Sequence, residues 1–87
     1  MKHIEVRYEY AVFVESVPVT SVSSTDAYAV GKSGVTIISI DSVELSTNRK
    51  PLKFGQEQNA LKVREHLRSM GLSPTIHVYS TTVGTID

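Results

Sequence analysis

The chain contains no cysteine, only three prolines and no long apolar run. Without cysteine there is no disulfide scaffold, no thiolate zinc site and no thiol nucleophile. The absence also fits a reducing compartment. Lys2, Glu5 and Arg7 put charges where a signal peptide needs its apolar stretch. No segment approaches the ~18 consecutive apolar residues of a membrane helix. The expectation is a small soluble, cytoplasmic protein.

The 87 residues suit one domain, 1–87. A chain of this length buries roughly 60–65% of the surface its unfolded form exposes, which leaves little room for an interior active-site cavity. Hydrophobic residues make up 40% and charged residues 21%, an ordinary globular composition that argues against disorder. Net charge is zero, but it is unevenly spread. Residues 1–45 carry three basic against six acidic side chains, and residues 46–87 carry six against three. Such a split favours charge-steered partners or self-association.

Ile4, Val6, Tyr8, Tyr10, Val12 and Val14 alternate with His3, Glu5, Arg7 and Glu9. Period two predicts a strand with one buried face. Beyond Glu9 the second face also turns apolar at Ala11 and Phe13, so the strand should be central or doubly covered there. A bent continuation through Val17, Pro18 and Val19 is expected. Ser23, Ser24, Thr25 and Asp26 are good helix caps for a short helix at 27–30, stopped by Gly31 or Gly34. The β-branched run 35–40 reads as a buried strand extending towards Leu45.

A polar turn at 46–51 precedes a short strand at 52–54. Ala60, Val63, Leu67 and Met70 then mark one apolar stripe of a helix over 56–70. Gly71 suits the left-handed residue after that helix, with Leu72 completing a Schellman-type stop. A last strand begins at Thr75 and fades through Val83.

The resulting order is strand, helix, strand, strand, helix, strand. It predicts an α+β fold of the ferredoxin-like βαββαβ type, a small antiparallel sheet with two helices on one face. The alternative folds residues 3–22 into a hairpin and gives five strands. It is second choice because Glu15 and Ser16 lack the Asn-Gly or Asp-Gly signal of a tight turn.

Chemistry-bearing motifs are weak. Gly31-Lys32-Ser33 resembles the end of a phosphate-binding loop, but Asp26 stands where its first glycine belongs. His3, His66 and His77 lack metal-ligand spacing, and no Gly-x-Ser-x-Gly turn exists. No catalytic residue, metal or cofactor is therefore expected. The basic stretch is more informative. Six of the nine basic residues lie within 49–68. On the second helix, Leu61, Arg64 and Arg68 share a flank beside the buried stripe, with Arg49 and Lys50 in the preceding turn. Arginine around a lone leucine is the composition of a contact site.

The reading is a non-enzymatic protein-binding module, an accessory or inhibitor protein that meets an acidic partner through Arg49, Lys50, Leu61, Arg64 and Arg68. Edge strands without inward charges add an expectation of homo-oligomers. Nucleic-acid binding through the basic 49–68 region is the alternative, with Tyr8, Tyr10, Phe13 and Tyr79 as candidate stacking residues. That alternative lacks the alternating basic, glycine and aromatic pattern of an RNA-binding sheet.

Overall fold

A computed structural model of the chain describes residues 3–24 and 36–86. Among them are four strands and one helix: β1 (His3–Val14), β2 (Val17–Ser23), β3 (Ser42–Leu45), α1 (Glu57–Ser69) and β4 (Pro74–Ile86). The strands form one sheet in the order β3-β2-β1-β4, with every pairing antiparallel. The ferredoxin-like order with two helices on one face is thereby overturned. The short helix expected at 27–30 and the Gly31-Lys32-Ser33 turn lie outside the described residues. The strand expected over 35–40 is not formed at 36–40, where Ile37 nevertheless inserts fully into the core.

The first correction lies at Glu15 and Ser16. Instead of bending, the chain reverses there, and Val14 pairs with Val17 and Phe13 with Pro18. Both turn residues have positive φ, 48° and 70°. That is the backbone twist a two-residue hairpin requires, here adopted without asparagine or glycine. The apolar Val14 and Val17 close the pair that fixes the register. Pro18 is tolerated because it occupies the non-hydrogen-bonded pair beyond the turn, where its nitrogen faces away from β1. Its carbonyl accepts a hydrogen bond from Ser46 N at 3.2 Å. The hairpin was the second-choice reading. It forms, within a sheet of four described strands instead of five.

Beyond the turn β2 leaves β1, and the sheet curls. Phe54 takes the vacated edge, exchanging backbone hydrogen bonds with Tyr10 at 2.9 and 2.7 Å. Leu52 N donates to Val19 O at 2.9 Å. The expected strand at 52–54 is therefore a single bridge that stitches the 46–54 connection across the gap.

The core gathers Val12, Val19, Val22, Ile37, Phe54, Ala60, Val63 and Leu67, with Tyr10, Val14 and Ile76 packed on its margin. Ala60, Val63 and Leu67 face it as the helical periodicity predicts. Met70 does not: it caps the helix and is 62% exposed. Asn59 lies on the buried side too, and its Oδ1 accepts the Ile37 backbone N–H at 2.9 Å. The helix stop is as expected. Gly71 has φ +85°, Gly71 N donates to Arg68 O and Leu72 N to Leu67 O. Those two bonds define a Schellman motif.

β1 and β4 pair along their full length, and only part of that ribbon is backed by the core. One extra residue, Val83, bulges from β4 opposite the step between Glu5 and Val6.

Candidate functional site

Residues at 57, 61, 64 and 68 recur at helical spacing one position beyond the buried row of 60, 63 and 67. The flank expected to carry a contact is thus adjacent to the core and outside it. Leu61 is half-buried and takes no part in the core cluster. Arg68 is exposed, and Arg64 is half-buried. The Arg64 Nε is shielded from solvent and has no hydrogen-bond partner among the described residues. A guanidinium nitrogen in that state has lost water without gaining an acceptor. A carboxylate approaching the fork would supply one.

Of the five predicted residues, Leu61, Arg64 and Arg68 lie on α1, and Arg49 and Lys50 lie in the connection that precedes it. Arg49 and Lys50 sit in an exposed turn attached to β2 through Ser46 and Leu52. α1 packs instead across β1 and β4. Among the described residues no hydrogen bond joins the helix flank to the turn.

Two further surfaces lie on the sheet, away from the helix flank. On the sheet face away from α1, the rings of Phe13 and His77 lie 4.2 Å apart. Lys53 Nζ stands 4.7 Å above the Tyr79 ring on the same face. Ala11 is fully buried on this face and is not part of the main core. The strand is thus covered on both sides near its end, as its alternation suggested. The four aromatic stacking candidates are split: Phe13 and Tyr79 share this face, while Tyr8 and Tyr10 point to the other. The signal for the split was available, because Phe13 has the opposite parity to Tyr8 and Tyr10.

The second surface is the far half of the β1–β4 ribbon. Ile4, Val6 and Tyr8 continue the face of Tyr10, Val12 and Val14, yet they are 66%, 41% and 55% exposed. Val78, opposite Tyr10, is exposed as well. The expectation that the whole apolar face of β1 is buried fails here, because the helix and the 46–54 connection end before reaching it.

Among the described residues no group of three or more histidine, cysteine, aspartate or glutamate side chains is placed to hold a metal ion. No helix among them is long and apolar enough to cross a membrane. Comparison with protein families, with characterised proteins and with solved structures finds no match.

Proposed function

We propose that the chain is a non-enzymatic protein-binding module, an accessory or inhibitor protein, which meets an acidic partner surface through Leu61, Arg64 and Arg68. One observation carries the reading. Leu61 stands outside the core on the same helix flank as Arg64 and Arg68, and among the described residues the shielded Arg64 Nε has no acceptor. Leucine supplies a dry centre, and the arginine forks supply paired donors for carboxylates. Arg49 and Lys50, exposed in the turn that precedes the helix, would add basic charge for the same partner.

Replacing Arg64 and Arg68 together by glutamate tests the site. The variant is checked for folding by circular dichroism, and its affinity is measured for the acidic protein that the wild-type chain retains. Loss of binding by a folded variant supports the site, and unchanged affinity removes it. A matching Arg49→Glu and Lys50→Glu variant shows whether the turn takes part.

Nucleic-acid binding is the second reading. It is favoured by the Lys53–Tyr79 contact beside Phe13 and His77 on one sheet face. Salt separates the two. Phosphate-mediated binding weakens by orders of magnitude between about 50 and about 200 mM salt, whereas an apolar-centred protein contact changes far less.

A further inference from the structure

We propose that the edge of β1 left unpaired by the described strands over residues 3–9 pairs with the same edge of a second copy of the chain, antiparallel and with the two-fold axis at Val6. The inference is independent of the helix flank.

The edge has definite bounds. Tyr10 exchanges both backbone hydrogen bonds with Phe54, on the side of β1 away from β4. Successive residues of a strand present their backbone groups to opposite edges. Ile4, Val6 and Tyr8 share the parity of Tyr10, so their N–H and C=O groups point to that same side. Among the described residues no strand pairs with β1 there over residues 3–9. The bulge at Val83 belongs to β4, so this edge of β1 keeps regular spacing. Seven residues span about 23 Å of open ladder.

Backbone parity and charge together select one register. Antiparallel pairing demands that the outward-facing groups of Ile4, Val6 and Tyr8 meet each other. With the axis at Val6, Val6 faces Val6 of the second copy and Ile4 faces Tyr8. Both are hydrogen-bonded pairs that place apolar side chains side by side. Glu5 then faces Arg7 of the second copy, twice by symmetry, in the closer non-hydrogen-bonded pairs where opposite charges attract most. All of residues 3–9 are used.

Neighbouring registers fail on the same residues. Moving the axis to Arg7 sets arginine against arginine and Glu5 against Glu9. Moving it to Glu5 sets glutamate against glutamate. Moving it to Tyr8 requires the edge of Tyr10 that Phe54 already occupies. The outer edge of β4 offers no such selection, because residues 74–86 contain neither acidic side chains nor lysine or arginine. Its bulge also breaks the spacing.

The absence of cysteine makes the register directly testable. Val6→Cys places its two thiols across the axis, where hydrogen-bonded partners lie about 5.5 Å apart between Cα atoms. That lies within disulfide range. Mild oxidation of the full chain should give a covalent dimer on a non-reducing gel. Tyr8→Cys, whose thiols would sit on opposite sides of the axis, should give little.

Sedimentation of the unmodified chain at rising concentration should show a monomer–dimer equilibrium. Arg7→Glu should raise the dissociation constant about tenfold or more, and the swap Glu5→Arg with Arg7→Glu should restore it. These positions are exposed, and circular dichroism verifies that each variant is folded. Monomer mass at all concentrations overturns the proposal. So does a dimer that ignores Arg7→Glu, or one that cross-links through Tyr8→Cys as well as through Val6→Cys.

Discussion

β1 is one strand with two environments. From Tyr10 to Val14 its apolar face lies on or beside the core with α1. From Ile4 to Tyr8 the same alternation continues, and the side chains stand in solvent. The sequence pattern is equally strong in both halves, so alternation alone cannot say which half is covered. It sets which side chains share a face. Coverage depends on how far a 13-residue helix and the 46–54 connection reach along a longer ribbon. The exposed half therefore holds an apolar row and a backbone edge with which no other described strand pairs.

Variants in the two halves should behave differently, and the largest effects belong to the covered half. Leu67→Ala should cost about 2–5 kcal/mol in chemical denaturation, the range for deleting a fully buried leucine. A change near zero would mean that the helix does not seal this half. Asn59→Ala should cost about 1–3 kcal/mol, because the Ile37 N–H would stay buried without its acceptor.

Gly71→Ala should cost about 1 kcal/mol. No atom lies within 4 Å of the added Cβ, so the penalty is the positive φ alone. In the other direction, Glu15→Asn with Ser16→Gly should stabilise the hairpin by about 0.5–1 kcal/mol. Both residues hold positive φ that the replacements favour. In the bare half, Val6→Thr should move the stability of the dilute chain by less than about 0.5 kcal/mol. It keeps β-branching while weakening self-association, which sharpens the contrast between the two halves.

How legible each element was follows from the same physics. The helix, its buried row and its Schellman stop were readable because their determinants are local: Ala60, Val63, Leu67 and Gly71 lie within a few turns of one another. The hairpin was not readable from Glu15 and Ser16, whose residue types disfavour the turn they make. The pairing of Val14 with Val17 and the sheet around it override that preference. Met70 extends the arithmetic of the apolar stripe, but the helix ends before the stripe does. Asn59 was missed because its partner is a backbone N–H 22 residues away. On the candidate flank, the position of Leu61 outside the core was legible from helical spacing.

Amide hydrogen exchange resolved by residue along β1 tests the division of this strand most directly. In dilute solution, Tyr10 should be strongly protected by Phe54, and Arg7 and Glu9 by their pairing with β4. Ile4, Val6 and Tyr8, whose amides face the open edge, should exchange fastest. Raising the concentration should slow those three alone. Uniform protection from Ile4 to Val14 in the dilute chain would contradict the account, because it would mean that the edge is closed without a second copy.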